Sequence, residues 1–268
     1  MKNTLTGELS AEFLGTMILI LFGNGVVAQV ITSQGTLGDH DSIAWAWGIG
    51  VTLGVYVAAR LSGAHLNPAV SIALALFKGF PWRKVAPYAV AQTAGAFVAA
   101  IIVRYVYDDL INVVDPGHTI KTQIIFATLP GNGSAPVTLT TAFFDQIVGT
   151  AILVFVIFAV TTAINNPPLA NLGPVVVGLL VVAIGMAWGA NAGYAINPAR
   201  DFGPRLASYI TGYSTAWIDQ YGQPYWWLPI IAPIIGGIVG GAIFRFMIEG
   251  FLPAEGEPVT VSEPAENL

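Results

Sequence analysis

Cysteine is absent from all 268 residues, so disulfides and thiolate metal sites are excluded and the redox compartment leaves no mark. Charge is nearly as scarce. Only 9% of the residues are Asp, Glu, Lys or Arg, where a soluble domain carries roughly 25%. The three histidines, His40, His65 and His118, stand far apart, which argues against a histidine metal centre. No HExxH, Gly-x-Ser-x-Gly or phosphate-cradling loop occurs. The expectation is therefore no enzyme, no catalytic residue, no metal and no cofactor. A basic footprint for nucleic acid is missing too, since the net charge is −5. No cleavable signal peptide is evident, because the first apolar segment is too long and carries Glu12 and Asn24.

What the chain has instead is apolar length. Hydrophobic residues make up 55% of it, and the mean hydropathy is +0.70. A spanning helix needs about 20 apolar residues. Six segments qualify, at roughly 9–31, 42–60, 83–107, 139–163, 172–190 and 225–248. Two shorter apolar stretches, 67–77 and 197–208, cannot span. Backbone breaks at membrane depth are tolerated only where they are buried or line a water-filled cavity, so these short stretches should re-enter the membrane. The acidic end, 253–268, with Glu255, Glu257, Glu263 and Glu266, reads as a solvated, disordered tail.

Each short stretch opens on Asn-Pro-Ala: Asn67-Pro68-Ala69 and Asn197-Pro198-Ala199. Proline suits the first helical position, where the missing N–H has no partner anyway. Asparagine suits the cap before it. Each motif thus marks a helix N-terminus with its positive end exposed. The motifs lie 130 residues apart, and Ala11–Thr16 matches Asp145–Thr150 at a spacing of 134. Three spans per half force the halves into opposite orientation. That is an inverted repeat, about 7–110 and 138–252 of one domain covering 1–252, and such repeats place the working site near the midplane. Lys2, Arg60, Lys78, Arg83, Lys84 and Arg245 flank one side. Lys121 stands among Asp39, Asp41, Asp108, Asp109, Asp115 and Asp219 on the other. The positive-inside rule then puts both termini in the cytoplasm, as for a plasma membrane protein.

Paired Asn-Pro-Ala motifs in this arrangement resemble the aquaporin superfamily, the major intrinsic proteins, from about Gly7 to Phe251. Ser62–Val70 and Asn197–Pro204 look specifically like the glycerol-facilitator, or aquaglyceroporin, branch. The resemblance implies an all-α right-handed bundle of six spans and two re-entrant half-helices. It implies a selectivity filter of Trp47, Gly185, Tyr194 and Arg200, with Trp47 and Tyr194 forming an apolar corner and Arg200 donating from the opposite face. Gly185, in place of the histidine of water-selective members, leaves room for a carbon backbone. The Asn67 and Asn197 amides would donate to passing oxygens. Asp201 and Arg205 form an i,i+4 pair that also resembles this branch. Glu12 and His65 would brace the first loop. Three positions depart from the pattern. Tyr194 stands where Phe is usual, Leu129 stands at a commonly aromatic position, and Gln146 stands where the second half usually has Glu.

The function so implied is a passive channel for glycerol, other small neutral solutes and water, excluding protons and ions, in a bilayer-embedded homotetramer. Rivals are a water-selective or broader pore passing urea, hydrogen peroxide, dihydroxyacetone or an undissociated short acid. From other classes come a secondary transporter with Glu12 as coupling residue, and a non-conducting structural protein. Individual residues also have plainer readings. Trp47 alone suits an interfacial aromatic, Tyr194 loop packing and Gly185 helix packing, like Gly236-xxx-Gly240 and Gly237-xxx-Gly241. Arg200 stands out even alone, because charge at membrane depth is costly. Asp39-His40-Asp41 and Asp108-Asp109 read as solvated turns. Asn132-Gly133-Ser134 is a glycosylation sequon on the non-cytoplasmic side.

Overall fold

The computed structural model describes residues 4–253. The acidic tail read from 253 onward, and Lys2, lie outside the described residues apart from Pro253. Among the described residues six helices are long and apolar enough to cross a membrane: α1 (Leu5–Thr32), α2 (His40–Ser62), α4 (Trp82–Val106), α7 (Leu139–Thr161), α8 (Gly173–Ala192) and α10 (Leu228–Met247). Between them lie the short helices α3 (Pro68–Phe77) and α9 (Pro198–Ile210), with α5 (Asp108–Val114) and α6 (Ile120–Gln123) in the connection from α4 to α7. The single extended pairing among the described residues is a bridge between Ile218 and Pro224. With six crossings, the described ends of the chain share one side, here called the terminal side.

The two halves interlock. Helix α1 packs on α2 and α4, and α7 packs on α8 and α10 in the same pattern. The half-helices cross over: α3 lies against α10, and α9 against α4. Close approach is built from glycine at matching places. A Cβ on Gly95 would lie 2.1 Å from the Phe13 carbonyl oxygen, and one on Gly240 would lie 2.1 Å from that of Ala151. Small residues of this kind let helix backbones touch in a bilayer, where hydrophobic burial gives no drive. The two glycine rows of α10 divide the work. Gly236 and Gly240 seat α7, while Gly237 meets Ala69 and Gly241 meets Phe77, both on α3.

Both half-helices start as their sequences require. Asn67 and Asn197 cap α3 and α9 from extended backbone, each with proline at the first position. The remaining turns correct two expectations. Asp39-His40-Asp41 is exposed as expected but opens a helix rather than forming a turn: Asp39 accepts from Ser42 in a capping box that starts α2, and His40 is its first residue. Asp108-Asp109 opens helix α5, and Asp108 pairs with Arg104.

Candidate functional site

A cavity of about 460 Å³ runs through the middle of the bundle. On the terminal side it is lined by Thr161, Asn171 and Gly173, and toward the opposite side by Trp47, Tyr194 and Arg200. One flank is apolar: Leu19, Val51, Val55, Leu153, Ile157, Val177 and Val181. The other is the backbone of two loops, Gly63–Asn67 and Tyr194–Asn197. These loops hold Ala64 (φ 52°), Leu66 (φ 50°), Tyr194 (φ 36°) and Ile196 (φ 44°) in the left-handed region. Non-glycine residues persist there only when their surroundings over-determine them, at a cost of about 1–3 kcal/mol each.

Each loop is held from behind by a polar side chain in an apolar span. Glu12 accepts from the backbone N–H groups of His65 (2.9 Å) and Leu66 (2.7 Å), from Ser62 Oγ (2.6 Å) and from Gln92 Nε2 (2.7 Å). Gln146 does the matching task with an amide. Its Oε1 accepts from Ile196 N at 2.9 Å, and its Nε2 donates to Ala192 O at 3.0 Å. The departure from Glu at this position therefore keeps the hold on the loop. His65 both lines the cavity and braces the first loop, with Nδ1 3.0 Å from Ser71 Oγ and its ring edge-on to Phe80.

The two Asn-Pro-Ala motifs meet at the centre. Asn67 Nδ2 donates to Ile196 O at 2.8 Å, and Asn197 Nδ2 donates to Leu66 O at 2.8 Å. Each Oδ1 accepts from its own helix start, Ala69 N at 2.9 Å and Ala199 N at 3.0 Å. One amide hydrogen per asparagine is therefore committed to the opposite loop. An amide carries two, so each retains one for the cavity that both residues line.

At the end away from the terminal side the four filter candidates converge, with two differences from expectation. Arg200 does not face Trp47 across an open corner. Its Cζ lies 4.1 Å from the Trp47 ring centroid, stacked on it. Among the described residues no salt bridge engages this guanidinium, and a guanidinium is attracted to an indole face, more strongly where water is excluded. No side-chain hydrogen bond ties this guanidinium to any described residue, so its N–H groups remain for a passing oxygen. Gly185, in turn, does not line the cavity. A Cβ there would lie 3.0 Å from Tyr194 Cζ and 3.1 Å from Ala44 Cβ, so the missing side chain makes room for the tyrosine ring. The Tyr194 hydroxyl is buried without a partner rather than presented to the lumen.

Asp201 and Arg205 do pair, at 2.8 Å, but away from the cavity. Arg205 also donates to Ala216 O and Thr128 O, and Asp201 accepts from Thr128 N and Oγ1. This closed network fixes the connection after α6 onto α9. Leu129, next to it, is fully buried against Gly133 and takes no place in the cavity wall. The sequon residue Asn132 has its amide nitrogen engaged, donating to Gly189 O at 3.1 Å. Sequence reasoning missed His40. Its Nε2 donates to Gly185 O at 2.9 Å, placing it directly behind the filter. It also passed over Asp145, whose signal was a charge inside an apolar span.

A bundle of six crossing helices, with two capped half-helices meeting around an amphipathic lumen, defines a polytopic membrane channel of the inverted-repeat class. The chain belongs to the major intrinsic protein family, whose model matches residues 1–244. It is 46% identical over 248 residues to a probable aquaglyceroporin-2 of Gibberella zeae, covering 89% of this chain and 71% of the relative. It is 41% identical over 264 residues to the glycerol uptake facilitator protein of Pseudomonas aeruginosa, covering 95% and 93%. Among solved structures it is similar to the aquaglyceroporin from Plasmodium falciparum, with a TM-score of 0.84 and 33% identity over 93% of this chain and 99% of that one.

Proposed function

We propose that the chain conducts glycerol and other small uncharged solutes, with water, passively and without passing protons or ions. The observation that carries this reading is the Arg200 guanidinium, 7% exposed, lining the cavity, stacked on Trp47 and without a side-chain hydrogen bond to any described residue. It offers donors to hydroxyls on one edge of a solute, while the Tyr194 ring meets the C–H edge. The Asn67 and Asn197 amides offer the next donors at the centre. The starts of α3 and α9 add positive potential where they meet. Each helix end is equivalent to about half an elementary charge, and together they oppose cations and protons. No residue is assigned a catalytic role. We read the chain as one channel domain of two repeats, about 7–110 and 138–252, set in the plasma membrane with cytoplasmic termini and assembled as a homotetramer.

The test is reconstitution into liposomes, with shrinkage in a hyperosmotic solute followed by re-swelling as the solute enters. Glycerol entry should scale with its gradient into the millimolar range and ignore a protonophore. Accumulation against a gradient, or loss of entry when a proton gradient is collapsed, sinks the channel reading in favour of an energised transporter. Water flow without glycerol entry would instead establish a water-selective pore.

A further inference from the structure

Asp145 lies outside the cavity wall, yet it is a carboxylate 6% exposed at the seventh position of α7. Charges at membrane depth are costly and are retained for a purpose. Among the described residues no cation pairs with it. Among the described residues its carboxylate has one hydrogen bond, from Asn191 Nδ2 to Oδ1 at 3.1 Å, and Oδ2 has no partner. Asn191 is the penultimate residue of α8, three before Tyr194.

The next residue on each helix repeats the grip. Gln146 donates to Ala192 O and accepts from Ile196 N. Consecutive residues of α7 thus hold consecutive residues at the end of α8, and the second also holds the far end of the loop. Between these anchors lie Gly193 (φ 65°), the glycine cap that ends α8, and Tyr194 (φ 36°), a left-handed conformation that a tyrosine keeps only under constraint.

The first repeat shows what differs. There Glu12 accepts from two loop N–H groups directly, and the residue before it is Ala11. In the second repeat the loop-facing side chain is the neutral Gln146, which accepts from one loop N–H. The carboxylate stands one residue earlier and grips the end of α8 instead. We propose that Asp145 is a specificity-determining positioning residue: through Asn191 it fixes the turn that lays the Tyr194 ring over Gly185, and so sets the constriction. This inference rests on the filter reading given above.

The test compares Asp145→Ala, Asn191→Ala, the double variant and Asp145→Asn in liposomes. The readouts are the glycerol-to-water permeability ratio and the entry of a four-carbon polyol. Both single alanine variants should raise polyol entry relative to water by about fivefold, the scale of one lost hydrogen bond. The double variant should go no further, because both changes remove the same contact. Asp145→Asn keeps an acceptor oxygen and should retain the wild-type ratio. Unchanged ratios in a folded Asp145→Ala protein, additive shifts, or an Asp145→Asn shift as large as that of alanine would each overturn the proposal. Should Asp145→Ala fail to fold, Asn191→Ala, at a less buried position, gives the same reading. Gly185→His is measured alongside. If it leaves the ratio unchanged, the filter reading fails; if it moves the ratio while Asp145→Ala and Asn191→Ala do not, only the positioning role is lost.

Discussion

Tyr194 and Gly185 share one volume: the ring tip of the tyrosine lies 3.0 Å from where a side chain on the glycine would begin. The Gly185 backbone cannot retreat, since its carbonyl accepts from His40 Nε2 at 2.9 Å and Ala44 closes the other side. Any side chain at 185 must therefore push the tyrosine toward the lumen. Gly185→His should lower glycerol permeability by about tenfold while water falls less, since about 1.4 kcal/mol added to the barrier slows passage tenfold and the bulkier solute meets the displaced ring first. Osmotic shrinkage and re-swelling on the same vesicles measure both. Equal loss of the two permeabilities would mark 185 as a packing position only.

The Tyr194 hydroxyl leads to a different expectation from its ring. It is buried and has no hydrogen-bond partner. An unsatisfied buried hydroxyl costs about 1–3 kcal/mol. Tyr194→Phe removes that cost and leaves the ring in place. The variant should melt at a higher temperature than wild type, and its glycerol-to-water ratio should stay within about twofold, since the lost group is not an accessible donor. A fall in melting temperature, or a large change in the ratio, would show that the hydroxyl reaches the lumen after all.

Much of this was readable in the sequence, for physical reasons that can be named. The six spans follow from uninterrupted apolar length, and helices α3 and α9 begin at the asparagines because a cap followed by proline leaves the backbone little choice. The braces at Glu12 and Gln146 were legible because a polar residue in an apolar span must satisfy something. The reciprocal bonds from Asn67 to Ile196 and from Asn197 to Leu66 were not, since they join segments 129 and 131 residues apart. The same holds for His40, whose partner Gly185 is 145 residues away. The stacking of Arg200 on Trp47 also escaped, because residue identity fixes what can interact and only packing fixes on which face.

On the side opposite the described ends, Asp115 ties the α5–α6 connection to the segment after α9. It accepts from Thr119 N at 2.8 Å and Thr122 Oγ1 at 2.7 Å, and Thr122 Oγ1 is 2.8 Å from the Tyr213 hydroxyl. Burial alone would raise this carboxyl, but the hydrogen bonds from Thr122 and Thr119 outweigh it and hold the group below the usual aspartate value. A depressed native value means stability that is fully present above the unfolded value, about 3.9. It is lost as pH falls through the native value. The melting temperature should therefore drop as pH falls below about 4. Asp115→Asn should melt lower at neutral pH and show a shallower decline in acid. A melting curve for the variant that tracks wild type at every pH would remove Asp115 from the account of acid stability.

Among the described residues Arg200 is the one fixed positive side chain lining the cavity; other positive potential comes from the starts of α3 and α9. Each helix end contributes about half a charge, so the guanidinium supplies a large part of the local barrier. A cation entering this slot also sheds water, and repulsion across a low dielectric is stronger than in bulk. Arg200→Val removes the charge and the group covering the Trp47 face, while leaving the Asn197 cap on Ala199 N intact. Bulkier neutral solutes should then enter faster, and a proton or cation current should appear under voltage clamp. Water flow should persist, because the donors of Asn67 and Asn197 remain. Current and osmotic water flux must be taken from the same preparation, with expression matched. A folded Arg200→Val channel that keeps wild-type solute selectivity and adds no current would show that the charge barrier lies elsewhere, at the helix starts alone.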